Sequence, residues 1–399
     1  MQRGLEAARA SVPKPSHVAA QTLRDIQARP LQRLAEIARV GAERLRQNIG
    51  SSKEEKLLNW VRRNGGQADV VIGVPHGGGA RGVLAERTFA TNEVVISIPQ
   101  HITIPLEGTP EEACVLLLHM LHRQRERYQP WLDMLPGPED FIAWDCLGPE
   151  QLSELQCPEM ELALGERKSL LEAVWQSREG PSGDAVYSRD ALLGSMDLDW
   201  QDVQWAVNIV RSRNWAMGLT ETGRILAVMK PLLDMLNHNR ASQNEMCFQH
   251  GAFQLVHRGP GICPGEEIMY NYEGEGHELR RDQAAMDYSF MLPEAQDPRL
   301  FHVDTLASQG EPAGDRMDMS SLSDEGLEAE RAHMSGILDG FPTTMSIDEE
   351  MLAGMPMLTD TRGNRDAERF LIEVRAARKA ALKRHLSDVN GLLEQRHQQ

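Results

Sequence analysis

The chain has 399 residues, 41% hydrophobic and 25% charged, with a formal net charge of −17. That length exceeds one compact core and suits two or three units. No run of about 18 apolar residues offers a membrane span, and the acidity argues against general nucleic-acid binding. It suits either a cationic partner, such as a lysine-rich protein segment, or a surface charged for solubility.

Residues 1–52 differ from the rest, with nine Lys/Arg against four Asp/Glu. They are Arg- and Ala-rich, with Leu23, Ile26, Leu34, Ile37 and Leu45 at roughly helical spacing and Pro13, Pro15 and Pro30 breaking it. The segment reads either as a removable organelle-targeting peptide or as a solvated basic extension, and no apolar stretch suggests a secretory signal. Residues 53–64 predict a short helix, with Ser52 as N-cap and Gly65-Gly66 as its stop. VVIGV (70–74) and VVISIP (94–99) predict β-branched strands around the glycine-rich HGGGARG. Residues 107–205 read as mainly helical, followed by the helix WQDVQWAVNIVRSRNW. Short strands return at RILAVMKP, MCFQ, FQLVH and EEIMYNY, which would set Tyr270 and Tyr272 on one strand face. SDEGLEAERAHMSGIL and DAERFLIEVRAARKAALKRHLSDVNGLLEQ predict helices beyond residue 296, with FPTTMSIDEEML (341–352) as a linking stretch.

Cys114, Cys146, Cys157, Cys247 and Cys263 are scattered and include no C-x-x-C pair. A disulfide scaffold and a structural zinc site are therefore not expected. The glycine run 77–79 lets backbone approach a ligand closely, but no G-K-[ST] follows, so it is not a phosphate loop. Asp234 and His238 lie four apart in PLLDMLNHNR, a metal-ligand spacing if helical, yet no third ligand stands nearby and no metal is expected. Gly265 suits a turn before EEIMYNY.

In order and spacing these pieces resemble the SET-domain methyltransferases, on the branch that holds Rubisco large-subunit lysine methyltransferase and the actin-histidine methyltransferase. ARGVLAERTFATNEVVISIP resembles the opening of the domain, and YQPWLDMLP with Trp144 its helical insert. WAVNIVRSRNW resembles the segment ending in [ST]-R, and PLLDMLNH the motif P-x-x-D-x-x-N-H. GEEIMYNY and DYSF resemble GE-[QE]-[IL]-x-x-x-Y and [DH]-YGF. The resemblance implies an α+β fold. A SET core of small curved sheets spans 53–295, with its helical insert at about 107–205, and an all-helical substrate-binding domain occupies 296–399.

It also implies S-adenosyl-L-methionine as the cofactor and a protein substrate bearing an exposed lysine. Gly79, Ala80 and Arg81 match the segment lining the cofactor, Arg213 the arginine holding its carboxylate, and Asn237 and His238 the Asn-His pair that binds it. Asp234 matches the acid supporting that turn. Tyr272 matches the tyrosine of the methyl-transfer channel, while Tyr288 and Phe290 match residues closing the site near lysine and cofactor. Trp215 stands where the histidine-methylating relative has Asn, so its apolar ring favours a lysine stem over an imidazole. Histidine methylation and a non-catalytic SET-fold binding protein are the alternatives. Three features depart from the pattern: RRDQAAM replaces the usual SN-x-EL, EGEGHEL lengthens the stretch between Tyr272 and Tyr288, and Ser289 replaces a glycine. An intracellular monomer is expected, in chloroplast, cytoplasm or nucleus, with neither nucleic-acid nor membrane partners.

Overall fold

The computed structural model describes residues 52–75, 80–140, 142, 144, 147–176, 193–194, 196–219, 221, 223–273, 279–292, 319–355 and 367–398. The basic extension 1–51, the glycine run with Gly79, and the 274–278 part of the lengthened stretch lie outside the described residues. Helix α1 (Ser52–Arg63) carries Glu54 and Glu55 in its first turn and Arg62 and Arg63 in its last, matching the helix dipole. Gly65, at φ 84°, ends the turn beyond it.

Three small sheets follow. In the first, β1 (Gln67–Ala68), β4 (Val94–Pro99), β10 (Ala252–His257) and β9 (Asn244–Gln249) pair antiparallel in that spatial order. The second has the order β2 (Val70–Gly73), β3 (Gly82–Ala85), β11 (Glu267–Tyr270) and β8 (Asn237–His238), and its β11–β8 pair is parallel. The third joins β5 (Ile104–Glu107), β7 (Ile225–Met229) and β6 (Asn214–Leu219). The β-branched run at 70–72 buries alternate residues, and that at 94–98 buries Val95, Ile96 and Ile98, as expected of strands facing a core.

Between β5 and β6 runs the helical insert. It comprises α2 (Pro110–Leu132), α3 (Pro149–Ser153), α4 (Pro158–Gln176) and α5 (Trp200–Arg213). Pro110 opens α2, where the Glu112 carboxylate accepts the Thr109 N–H at 2.9 Å. The Asp199 side chain caps α5 by accepting from the N–H groups of Gln201 and Asp202. Helix α6 (Arg281–Tyr288) follows the sheets, and α7 (Asp324–Asp339), α8 (Met345–Gly354) and α9 (Ala367–His397) complete the described chain.

The main core joins α1, α2, α5 and the sheets, with Leu57, Ile96, Ile98, Trp131 and Val207 fully enclosed. A second core brings Trp144 and Leu155 of the insert together with Ala285 and Met286 of α6 and Phe370 and Val374 of α9. The Trp144 indole N–H donates to the Ala285 carbonyl across this junction. No helix among the described residues is long and apolar enough to cross a membrane.

Three local readings change. FPTTMSIDEEML is not only a linking stretch: Thr344 accepts the Ile347 N–H and starts α8 at Met345. The helix expected over WQDVQWAVNIVRSRNW ends at Arg213, so Asn214 and Trp215 open strand β6 instead, and β3 forms just after the glycine run with all four residues buried and no alternation to read. Tyr270 ends β11, so Tyr272 lies beyond the strand and the two tyrosine rings part company.

Candidate active site

Strand β7 ends at Met229, and the chain then turns through Leu232, held at φ 76°. A buried non-glycine residue there is strained, and such strain clusters at functional sites. A single helical turn (Leu233–Met235) then delivers Asn237 and His238 to β8, beside Met269 and Tyr270 of β11.

Asp234 lies at the centre of this turn. Its Oδ2 accepts from the Trp131 indole N–H at 2.9 Å and stands 3.6 Å from Arg213 Nη1, which also donates to the Asp234 carbonyl at 2.8 Å. Burial raises the Asp234 pKa, opposed chiefly by Arg213. Two polar atoms of this cluster, Asp234 Oδ1 and Arg213 Nε, are buried without a hydrogen-bond partner. Such atoms are unusual in a finished interior and common where a ligand belongs.

Arg81 stands within electrostatic reach of Arg213 and Asp234, its guanidinium donating to the Met134 carbonyl at 2.9 Å. Burial and the nearby Arg213 lower its pKa. The Asn237 amide donates to Glu267 Oε1 at 2.7 Å and to the Arg81 carbonyl at 3.3 Å. A side chain at Gly82 would meet that same carboxylate at 2.3 Å and the Asn237 amide nitrogen at 2.8 Å, so a larger residue there would displace their hydrogen bond. Ala80 is exposed at the start of this segment.

The aromatic part is built around Tyr272. Its hydroxyl donates to the Leu236 carbonyl at 2.5 Å, and its backbone N–H donates to His238 Nδ1 at 3.1 Å. That second bond leaves Nε2 to carry the proton of a neutral imidazole, and burial lowers the His238 pKa accordingly. Tyr288 lies 5.0 Å from the Tyr272 ring, and Phe290 lies 5.9 Å from Tyr288 and 6.4 Å from His238. Burial raises both phenols, Tyr288 to about 12, so both stay protonated at neutral pH. Ser289 turns the chain between Tyr288 and Phe290 at φ 54°, the conformation a glycine adopts without strain. Glu273 closes the base of the lengthened stretch, accepting from Arg240 and from the Leu279 N–H.

Trp215 belongs to a neighbouring aromatic group. Its ring stacks on Tyr270 at 4.6 Å, and Tyr270 pairs in register with His238. The structure thus gathers Arg81, Arg213, Asp234, Asn237, His238, Tyr272, Tyr288 and Phe290 around one turn, with Trp215 reached through Tyr270. It does not join Asp234 and His238 as metal ligands, because their side chains have separate partners. Among the described residues, no three His, Cys, Asp or Glu are grouped to hold a metal. Trp131, Glu267 and Lys230 were not singled out from sequence. Trp131 stood in a recognised insert motif, but its partner is 103 residues away.

No protein-family model and no curated protein sequence matches the chain. Solved structures do. The SET domain of LSMT bound to lysine and AdoHcy superposes with a TM-score of 0.57 at 16% identity, covering 86% of this chain and 91% of that one. Rubisco LSMT bound to AdoMet gives 0.58 at 16% identity, covering 87% and 92%. Rubisco LSMT bound to sinefungin and monomethyllysine gives 0.57 at 16%, covering 87% and 93%. With its three small sheets, its helical insert and its C-terminal helices, this chain has the SET-domain fold of the Rubisco LSMT structures.

Proposed function

We propose that the protein transfers a methyl group from S-adenosylmethionine to a lysine side chain of another protein. The observation that carries this reading is the meeting of a half-buried guanidinium, Arg213, whose enclosed Nε lacks a partner, with a cluster of protonated phenols on a fold whose solved relatives hold AdoMet, AdoHcy and lysine.

The residues present fit such a cofactor. The free edge of Arg213 suits a carboxylate. The Asn237 amide nitrogen is already committed to Glu267 and the Arg81 carbonyl, which leaves its oxygen to accept from an amino group. Ala80 and Arg81 offer backbone beside it. When bound, the cofactor supplies an electrophilic methyl on a sulfonium.

The chain's own residues would then prepare the acceptor. Free lysine is protonated, with a pKa of about 10.4, and must lose that proton before its lone pair can attack. The rings of Tyr272, Tyr288 and Phe290 offer little solvation for an ammonium, which favours the neutral amine. The Tyr272 hydroxyl, which donates to the Leu236 carbonyl, fixes one polar direction at the mouth of this space. Tyr288 offers a second protonated phenol to orient the nitrogen.

Trp215 carries the choice of lysine over histidine, since an indole face offers an imidazole no hydrogen bond. Replacing it by Asn should shift labelling toward methyl-histidine. The overall test is methyl transfer from labelled S-adenosylmethionine into an undermethylated cell extract, comparing wild type with Tyr272→Phe. Methyl-lysine on hydrolysis, fading in the variant, is the expected result. Cofactor binding without labelling of any protein would instead identify a non-catalytic binding protein.

A further inference from the structure

Lys230 is the one lysine of the site region with no place in this chemistry. It follows β7 and is 1% exposed. Its Nζ lies 4.2 Å from the centroid of the Trp215 ring and 4.4 Å from that of Phe253, a core residue of β10. Among the described residues no carboxylate pairs with it, and burial is the sole influence on its pKa, lowering it to about 7. An amine enclosed without a counter-ion costs stability, and an apolar side chain of similar length would pack there more favourably. Some gain elsewhere must account for it.

Trp215 points to that gain. The residue lies on β6, the outer strand of its sheet, and the strand beyond it is exposed from Ala216 to Leu219. Among the described residues its aromatic and cationic neighbours are Tyr270 at 4.6 Å and the Lys230 amine at 4.2 Å, and the ring packs on the edge of the main core. An indole on an edge strand would otherwise be free to change rotamer.

We infer that Lys230 is a positioning residue, pressing from the protein interior on the Trp215 indole so that the ring stays where it meets the methyl acceptor. This rests on the proposed function, because it takes Trp215 as a wall of the acceptor channel. The contact is a cation–π interaction when the amine is protonated and plain packing when it is not. No other charged group among the described residues acts on the Lys230 amine.

The experiment uses the full chain with Lys230→Met, Trp215→Phe and the double variant, and free L-lysine as the minimal acceptor. Indole ¹⁵N–¹H resonances are followed against pH, with that of Trp215 assigned by its loss in Trp215→Phe. The expected result is a Trp215 resonance that shifts near pH 7 in the wild type and becomes broad and insensitive to pH in Lys230→Met. In that variant KM for lysine should rise about three- to thirtyfold, the range spanned by exposed to desolvated cation–π contacts. Affinity for S-adenosylmethionine should be unchanged and the melting temperature no lower than wild type. The double variant should be no worse than Trp215→Phe alone.

A Trp215 resonance unchanged in Lys230→Met, or losses that add in the double variant, would overturn the inference while leaving the methyltransferase reading intact. A wild-type protein that methylates neither lysine nor any extract protein, while its Trp215 resonance still follows Lys230, would refute the proposed function and with it the role given to the ring.

Discussion

Two buried aspartates, each facing cations, show how differently this molecule treats its interior. Asp348, at the C-terminal helices, is completely enclosed and fully satisfied. Its Oδ1 accepts from Thr343 and from Arg375 Nε at 2.7 and 2.9 Å, and its Oδ2 from Lys379 at 2.6 Å. Arg375 continues to Glu154, so the network ties α9 to the insert. Asp234 has a comparable location but an unfinished one, with its Oδ1 and the Nε of Arg213 unpartnered. A network that saturates its own polar atoms fixes structure, whereas one that leaves them open holds a place for something else.

The largest expected effect would test the first half of that contrast. Asp348→Ala leaves Arg375 and Lys379 buried without their anion, and should destabilise the protein by about 3–5 kcal/mol. Urea unfolding measures this, and affinity for S-adenosylmethionine should be unchanged in the folded fraction. A loss below about 1 kcal/mol would mean that the network is not the tie it resembles.

Tyr272→Phe addresses the other half. It removes only an oxygen, so kcat should fall about a hundredfold, the scale of losing one preorganised polar group, with cofactor affinity retained. Arg213→Lys keeps the charge but loses the planar fork, and should weaken S-adenosylmethionine binding by about 1.5–3 kcal/mol in a calorimetric titration. Unchanged affinity would show that the open Nε is not awaiting a carboxylate.

Two smaller effects sharpen the picture. Ser289→Gly removes the left-handed strain between Tyr288 and Phe290 and should stabilise the chain by about 0.5–1 kcal/mol in thermal unfolding. His257 bears on acid stability. Its Nδ1 faces the Asn244 side-chain oxygen, and its Nε2 accepts the Gly261 N–H, so the ring is held neutral. Burial lowers its pKa, which makes its contribution fully present above the ordinary histidine range and lost as pH falls through it. His257→Gln should flatten the fall in melting temperature on acidification, and an unchanged slope would assign that fall to other groups.

Much of this was legible in the sequence. The β-branched strands at 70–73 and 94–99 and the helix that ends before Gly65 appeared where their residues placed them, because β-branched runs and turn glycines act over a few positions, whereas Ser52 opens that helix as its first residue rather than capping it. The turn carrying Asp234, Asn237 and His238 could be picked out by its order within a spaced series of motifs. The site's connections could not. Trp131 meets Asp234, and Asn237 meets Glu267, across 103 and 30 residues, through hydrogen bonds that leave no local pattern.

By itself, then, the sequence determined the order of many elements and the residue types available for chemistry, through periodicity and turn residues, and the α+β class through the family resemblance that its motifs carry. Only the tertiary structure decided which polar atoms are satisfied. It also separated Tyr270 from Tyr272 and brought the Lys230 amine against Trp215. These outcomes depend on burial and on contacts between distant segments, which exist only once the sheets have closed around the core.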